Sequence, residues 1–298
     1  MSQTNFQNQI NNHLCCAICK SNLRKIKNGL VCAKCKTLFK VKQGVPIFID
    51  YNVLPKHTFN QIQFFEGEQE HPTLENTSNI HYWKKRYVER FMDNFRVIKN
   101  KLILDCGTGI GYMAIELAKA GGKVIACDIT LKNLVLLKKF AKKMGLNSRM
   151  VFVCCSADSL PFKDSIFDYY ISNAVMEHVP REKAAIAEIR RILKKGAGVM
   201  IAVPLKFRFL NPLFIPINIF HDRKLGHLRR YDEVSLAKKF AGFKLINAYY
   251  TGHFKKVIKT IINIFFDIFN ENTIEEEDQK KEKTKYGSSN IICFFTKK

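Results

Sequence analysis

A strand that runs directly into a glycine-rich turn constrains this chain more than any other feature. Residues 101–105 read KLILD, and Gly107, Gly109 and Gly111 then follow in a GxGxG turn that opens a helix over 111–120. Glycine lets the backbone bend tightly and approach a ligand without a Cβ atom in the way. The first amides of the helix are aimed at whatever binds there. The turn therefore predicts a cofactor site.

Three acidic residues indicate which kind of cofactor this is. Asp128 ends the strand KVIACD (123–128), about 20 residues after the first glycine, where a carboxylate can accept hydrogen bonds from ribose hydroxyls. Asp158, in SADSLPF, follows the third strand, where it could meet an adenine amino group. NAD-binding turns use GxGxxG spacing. Here the spacing is GxGxG, and Asp105 lies two residues before the first glycine, which favours another adenosine-containing cofactor.

Strands and helices alternate from residue 81 onward, which is typical of a parallel sheet covered on both faces. The final segments differ, because the strands predicted over 243–250 and 290–298 could pair as an antiparallel hairpin at the sheet edge. Earlier strands are predicted over 101–105, 123–128, 149–155, 167–172 and 198–204, and helices over 82–100, 111–120, 131–143, 181–193 and 233–240. The sequence thus predicts an α/β fold.

The motifs in this region resemble a known family. LDCGTGIG, the CD that ends the second strand, SADSLPF, FDYYISNAVMEHV and LKKGAGVMIAVP follow one another over residues 102–204. In this order and spacing they are similar to the motifs of class I S-adenosylmethionine-dependent methyltransferases of the methyltransferase type 11 group. The resemblance implies a Rossmann-like, doubly wound, mostly parallel seven-stranded sheet with a reversed final strand. It also implies that the protein is an enzyme that uses S-adenosylmethionine.

The resemblance further assigns roles to individual residues. Asp105 and the glycines would hold the methionine moiety, Asp128 the ribose and Asp158 the adenine, with Asn173 at the substrate mouth. Apart from the resemblance, a general base is needed only if the acceptor must lose a proton. His178 is the candidate catalytic residue, as that base or as a structural residue at a helix start, and His227 with Arg229 and Tyr231 is the other candidate. The complete set of cofactor-binding candidates is Asp105, Gly107, Thr108, Gly109, Gly111, Asp128, Ile129, Asp158 and Asn173.

The N-terminal cysteines predict a separate metal site. Two CxxC pairs separated by twelve residues supply four thiolates for tetrahedral Zn²⁺, and such a site is structural because no position stays open for water. Cys15 directly precedes the first pair and is an alternative ligand to Cys16. The segment resembles zinc-ribbon modules fused to, or partnering, methyltransferases. The predicted ligands are Cys16, Cys19, Cys32 and Cys35.

The chain divides into four regions by composition. We expect a disordered tail over 1–12, the zinc ribbon over 13–50, a linker with one short helix over 51–80, and the methyltransferase domain over 81–298. Insertions fall at about 205–231 and 251–289. The polar start predicts no secretory signal. No apolar run reaches the roughly 18 residues of a spanning helix, so we expect a cytoplasmic protein, with peripheral membrane contact left open.

The acceptor is less constrained than the cofactor. The positions after the fourth strand read Ser172-Asn173-Ala174-Val175 and lack the Asn/Asp-Pro-Pro-aromatic motif of amino-methylating enzymes. Both insertions are apolar, and the one after residue 250 carries Lys255, Lys256 and Lys259 opposite its apolar face. This pattern predicts that 207–220 and 254–269 form a hydrophobic mouth beside Asn173 and His178, for a small-molecule or lipid-linked acceptor at an anionic membrane.

Two alternatives stay open. The net charge of +23 fits RNA as well as a membrane, or a compositional bias alone. An RNA methyltransferase that uses the ribbon for substrate recognition is therefore one alternative. The other is an inactive S-adenosylmethionine-binding protein that recruits partners through the ribbon.

Overall fold

The N-terminal part of the chain folds into a small antiparallel sheet. The computed structural model describes residues 6, 10, 12–51, 54–67, 71–73, 75, 82–266 and 268–298. The hairpin β1–β2 connects the two CxxC pairs, so both pairs lie at the same end of this module. The strands pair in chain order: β1 (Leu23–Ile26), β2 (Gly29–Cys32), β3 (Leu38–Lys42) and β4 (Val45–Pro46). The predicted β-rich ribbon is confirmed.

Seven further strands form the central sheet, in the order β10-β11-β9-β8-β5-β6-β7. Their bounds are β5 (Leu102–Cys106), β6 (Lys123–Asp128), β7 (Met150–Cys154), β8 (Phe167–Asn173), β9 (Leu193–Pro204), β10 (Phe243–Thr251) and β11 (Asn290–Lys297). Strands β5 to β9 are parallel neighbours, whereas β11 runs antiparallel to both β9 and β10. The doubly wound seven-stranded prediction is confirmed, and the last strand lies inside the sheet so that β10 forms the edge.

Helices cover both faces of this sheet. They are α1 (Lys56–Gly67), α2 (Tyr82–Asn94), α3 (Tyr112–Lys119), α4 (Leu131–Lys143), α5 (Glu182–Ile192), α6 (Ile215–Leu225), α7 (Glu233–Lys239), α8 (Phe254–Phe266) and α9 (Glu271–Gln279). Successive strand residues point to opposite faces. Ile103 therefore packs with α2, α3 and α4, whereas its neighbour Leu104 shares a core with α5, α7 and much of the ribbon.

The ribbon covers the free edge of β7. Ile47 forms a parallel bridge with Cys154, and the Phe48 amide donates a hydrogen bond of 2.8 Å to the Cys154 carbonyl. On the other side of the ribbon, Lys20 Nζ lies 2.7 Å from a Glu188 carboxylate oxygen on α5. Uncovered sheet edges are templates for pairing with other chains. The ribbon therefore protects the sheet as well as carrying the cysteines.

Two segments differ from the sequence prediction. Phe6 and Ile10 are buried, where we expected a disordered tail, and the other residues of 1–11 lie outside the described ones. Within the predicted linker, α1 is a twelve-residue helix with Thr58, Gln61 and Ile62 buried. Residues 52–53, 68–70, 74 and 76–80 of that linker lie outside the described residues.

Both predicted insertions contain helices. The first holds two short 3-10 turns, Phe207–Phe209 and Pro212–Phe214, followed by α6, and the second holds α8 and α9. Proline at residues 212 and 216 breaks the first insertion into short pieces, because a proline has no amide hydrogen to continue a helix. Across the described ranges, none of the helices combines the length and apolar character that a membrane span requires.

Candidate active site

A cavity of about 330 Å³ opens at the carboxyl ends of β5, β6, β7 and β8. Chain order reverses between β5 and β8. Strands β6 and β7 lie on one side of β5, whereas β8 and β9 lie on its other side. Ligands of open α/β sheets bind at such a switch point. The lining residues are Thr58, Gln61, Phe65, Trp83, Cys106, Gly107, Gly109, Ile110, Asp128, Ile129, Thr130, Asn133, Cys155, Ser156, Ala157, Asn173, Ala174, Val175, His178, Val179 and Pro180.

The glycine turn forms one wall of the cavity in a conformation that needs glycine. Gly107, Gly109 and Gly111 have φ values of 73°, 53° and 83°, in the left-handed region that residues with a Cβ atom rarely adopt. The Gly107 amide donates to the Cys127 carbonyl at 2.8 Å, which ties the turn to the end of β6. A Cβ atom on Gly107 would lie 2.2 Å from Val175 Cγ2, whereas one on Gly109 would have nothing within 4 Å. Gly109 therefore borders open space.

The carboxylate of Asp128 holds the turn from the neighbouring strand. Its Oδ2 atom accepts a hydrogen bond of 2.9 Å from the Gly109 amide, and its Oδ1 atom accepts from the amide and hydroxyl of Thr130 at 2.9 and 2.7 Å. Burial raises the pKa of this carboxyl group, and the hydrogen bonds from the turn oppose that shift. The side chain lines the cavity with lone pairs left to accept further hydrogen bonds.

Asp105 and Thr108 lie beneath the turn and not on the cavity wall. Thr108 Oγ1 donates to Asp105 Oδ2 at 2.7 Å, and both residues are buried. Burial raises the pKa of Asp105 to about 6. Gly111 caps α3 and also lies behind the wall, where a Cβ atom would meet Leu137 at 2.4 Å. These three residues support the turn from behind.

The remaining predicted residues lie at the other strand ends. Ile129 and Asn173 line the cavity, and the Asn173 amide donates a short hydrogen bond to the Tyr112 hydroxyl. Asp158 does not line it, because its carboxylate accepts from Ser156 Oγ at 2.6 Å and from Arg181 Nε at 2.8 Å. Its neighbours Ser156 and Ala157 are the lining residues on that side.

Helix α1 covers the cavity from outside the sheet, which the sequence analysis missed. Thr58, Gln61 and Phe65 line the cavity from this helix, and Gln61 Nε2 donates to the Leu225 carbonyl at 3.0 Å. The available signal was Pro55 at the helix start followed by apolar residues at the three-residue spacing of Ile62 and Phe65. The segment predicted as a linker is therefore part of the candidate site.

His178 lines the cavity within a group of three titratable side chains. One potential ligand atom from each of Glu177, His178 and His227 lies within 4.8 Å of the other two. Burial lowers the pKa of His178 to about 3 and raises the pKa of Glu177 to about 8. A neutral imidazole with so low a pKa is a weak general base. The sequence offers His178 and His227 as candidate general bases, and the structure brings them together, whereas Glu177 was not singled out from the sequence.

The four predicted zinc ligands come together at the end of the ribbon. Their sulfur atoms all lie within 4.8 Å of one another, with Cys16 and Cys35 3.5 Å apart and Cys19 and Cys32 3.3 Å apart. Tetrahedral zinc with bonds of about 2.3 Å holds its sulfur ligands about 3.8 Å apart. A hydrogen bond from Ser21 lowers the pKa of Cys19 to about 6, which favours the thiolate.

Cys15 does not belong to this group of four. Its side chain is buried, and its amide donates to the Pro161 carbonyl at 2.9 Å. The backbone thus directs Cys15 towards the central domain and leaves Cys16 beside Cys35.

The two apolar insertions do not form the predicted mouth. Phe214 and Phe254 stack with ring centroids 5.1 Å apart, so the insertions do touch each other. None of the residues described in either insertion lines the cavity, where α1 and Trp83 lie instead. The predicted lysine rim is also wrong in part, because Lys256 pairs with Glu275 at 2.6 Å and Lys259 with Glu277 at 2.7 Å.

The sheet order, the reversed β11 and the cavity at the switch point define the class I methyltransferase architecture. Residues 104–201 match the family model described as "Methyltransferase domain". The chain therefore contains a methyltransferase domain of this class.

Two relatives with names match about half of this chain in sequence. The 24-methylenesterol C-methyltransferase 2 of Oryza sativa subsp. japonica is 30% identical over 53% of this chain and 45% of its own length. A ubiquinone/menaquinone biosynthesis C-methyltransferase of Cronobacter sakazakii is 25% identical over 50% of this chain and 57% of its own length. The chain thus spans about half the length of these relatives.

The solved structure of geranyl diphosphate C-methyltransferase from Streptomyces coelicolor has a similar fold. It was determined in complex with Mg²⁺, geranyl diphosphate and S-adenosyl-L-homocysteine. The match has a TM-score of 0.62 and 10% identity, and it covers 82% of this chain and 99% of that one. At this identity the likeness concerns the fold alone.

Proposed function

We propose that this protein is an S-adenosylmethionine-dependent methyltransferase that acts on a small-molecule or lipid-linked acceptor. The observation that carries the proposal is the cavity wall made by Gly107, Gly109 and Asp128 at the switch point of the sheet. A left-handed glycine turn beside open space and a buried carboxylate with spare lone pairs fit an adenosine-containing ligand.

The chain's own residues would hold and orient the two substrates. The Asp128 carboxylate would accept hydrogen bonds from ribose hydroxyls, and Ile129 and Ala157 offer apolar surface beside it. Asp158 is paired with Arg181 and would not contact the adenine directly. Its hydrogen bond from Ser156 would instead position the loop on the adenine side of the cavity. S-adenosylmethionine, when bound, supplies an electrophilic methyl group. The chain then mainly aligns the acceptor and excludes water.

The ribbon would hold one structural Zn²⁺ through Cys16, Cys19, Cys32 and Cys35. Four thiolates leave no open position, so this metal would take no part in methyl transfer. Its proposed task is to keep the ribbon folded against β7 and α5.

The apolar character of the site supports a small or lipophilic acceptor. Phe65, Val175 and Val179 lie on the cavity wall, and Phe65 packs against the His178 ring with centroids 5.7 Å apart. The relatives named above are a 24-methylenesterol C-methyltransferase and a ubiquinone/menaquinone biosynthesis C-methyltransferase. Exposed apolar side chains also occur on the insertions: Leu213, Ile217, Ile219, Phe220, Phe265, Phe266 and Ile268. A surface rich in such residues is typical of one that meets a membrane or partner.

The cofactor is tested by calorimetry with S-adenosylhomocysteine. Wild-type protein should bind it saturably, and Asp128→Ala should weaken binding by about 1–3 kcal/mol, because ribose hydroxyls lose a charged acceptor. Asp164→Ala is the control, because this exposed carboxylate pairs with Arg191 away from the cavity. Wild-type protein that binds NADH and ignores S-adenosylhomocysteine would contradict the proposed function.

The lipophilic acceptor is tested by vesicle binding of a surface variant. Phe265→Asp combined with Phe266→Asp should abolish sedimentation with phosphatidylglycerol–phosphatidylcholine vesicles and leave S-adenosylhomocysteine affinity unchanged, because both side chains are exposed and lie outside the cavity. Val97→Asp is the matched control, since Val97 is an exposed apolar residue just before β5, at the amino end of the strand. Equal sedimentation of the double variant and wild type, or none by wild type, would count against an acceptor at a membrane.

A further inference from the structure

Glu177, His178 and His227 form a group of one buried and two half-buried side chains at the edge of the cavity. Glu177 is only 1% exposed. Among the described residues, neither its Oε2 atom nor His178 Nδ1 has a hydrogen-bond partner, although both atoms are buried. Buried polar atoms are nearly always hydrogen-bonded, and exceptions point to a bound water or ion. These two unpartnered polar atoms belong to neighbouring residues of one candidate ligand group, which points to a bound ion or water there.

His227 is held in the orientation of a metal ligand. Its Nδ1 atom lies 2.7 Å from Asp222 Oδ1, and Arg230 holds the other oxygen of that carboxylate at 2.6 Å. A carboxylate on one ring nitrogen is the usual support of a metal-binding histidine, because it fixes the tautomer and leaves Nε2 with a free electron pair. The His227 ring lies 4.8 Å from the His178 ring, centroid to centroid.

The separation of the three side chains suits a divalent cation. Their candidate ligand atoms lie within 4.8 Å of one another. Nitrogen and oxygen ligands at about 2.0–2.2 Å from a shared ion lie at most about 4.4 Å apart, so small side-chain rotations would close the site. Two imidazoles and a carboxylate are donors for Mn²⁺, Fe²⁺, Co²⁺ or Zn²⁺.

We propose that Glu177, His178 and His227 bind one divalent transition-metal ion beside the candidate active site. Three protein ligands leave coordination positions open, and His178 places them at the cavity wall. The bound ion would hold an oxygen atom of the acceptor there. This second step rests on the proposed function, whereas binding of the ion does not. The acceptor class is accordingly a molecule with a hydroxyl, phenolic or phosphate oxygen near the carbon or oxygen that is methylated.

Mn²⁺ is a suitable probe, because nitrogen and oxygen donors suit it better than the thiolates of the ribbon. Full-length protein, with the ribbon loaded with zinc, is titrated with Mn²⁺, and free Mn²⁺ is measured by electron paramagnetic resonance. We expect saturation at one Mn²⁺ per chain. Enhanced relaxation of water protons should show that the bound ion keeps exchangeable positions.

Two ligand variants and one neighbour make the test specific. Glu177→Gln and His227→Asn should each weaken Mn²⁺ binding by at least about tenfold. Neither residue lines the cavity, so S-adenosylhomocysteine affinity should stay at the wild-type value and report correct folding. His221→Asn separates this site from a second group, His221, Asp222 and His227, whose candidate ligand atoms also lie within 4.8 Å of one another. This variant should bind Mn²⁺ normally.

Several results would overturn the metal site. They are no stoichiometric Mn²⁺ in wild type, unchanged binding in both ligand variants, or a loss confined to His221→Asn. The proposed function fails separately, if S-adenosylhomocysteine does not bind although Mn²⁺ does. Unenhanced water relaxation with Mn²⁺ bound would show a closed site and overturn the role in holding the acceptor.

Discussion

Replacing Gly107 with alanine should raise the dissociation constant for S-adenosylhomocysteine by at least about tenfold, equivalent to about 1.4 kcal/mol. The new Cβ atom would lie 2.2 Å from Val175 Cγ2, at a backbone φ of 73°. Valine is β-branched and cannot rotate away easily, so Val175 or the turn must move, and both form the cavity wall. Overpacking costs about 1–3 kcal/mol, and a left-handed alanine about 1–2 kcal/mol. Calorimetry measures the loss of cofactor affinity, and urea unfolding measures the loss of folding stability.

Gly145→Ala separates backbone strain from the steric clash. Gly145 has nearly the same φ, 72°, but a Cβ atom there would have nothing within 4 Å. It follows α4 and does not line the cavity. The free energy of unfolding of Gly145→Ala should therefore fall only by the cost of backbone strain, and its cofactor affinity should equal that of wild type. Equal affinity in the two variants would show that the turn is not the cofactor wall.

The part of the site that lies in consecutive segments could be predicted from the sequence. Gly107, Gly109 and Asp128 belong to a strand–turn–helix–strand unit whose geometry follows from short connections. The parallel sheet was predicted because parallel neighbours need crossover helices, whereas the seven strands and the reversed final strand were implied by the family resemblance. The cysteine cluster was predicted for the same reason, since one hairpin brings its two CxxC pairs together.

The remaining part of the site is formed by contacts between distant segments, which the sequence pattern does not reveal. His178 and His227 are separated by 49 residues, and only the return of the chain after α6 brings their rings together. Lys256 and Lys259 suggested a basic rim, yet α9 places Glu275 and Glu277 against them. Periodicity placed the apolar residues of α8 on one side, but it could not show that α9 would cover Lys256 and Lys259 or that Phe265 would stay exposed.

Replacing Cys32 with serine should remove zinc from the protein and unfold the ribbon. A ribbon of this size buries too little apolar surface to fold alone, and structural zinc contributes about 10–16 kcal/mol to small modules of this kind. Freshly purified wild type should contain one zinc per chain by metal analysis, and the variant none. Most of the helical circular dichroism should persist, because the helices α1 to α9 all lie outside the ribbon.

Loss of the ribbon should also expose the central sheet. Ile47 and Phe48 pair with Cys154 at the edge of β7, so an unfolded ribbon leaves that edge free to join another chain. Light scattering on warming should therefore rise earlier in Cys32→Ser than in wild type. Cys15→Ser is the control, because its buried neighbouring thiol is outside the cluster, and it should keep one zinc. Zinc-free wild type, or zinc lost equally from Cys15→Ser, would contradict the proposed ligand set.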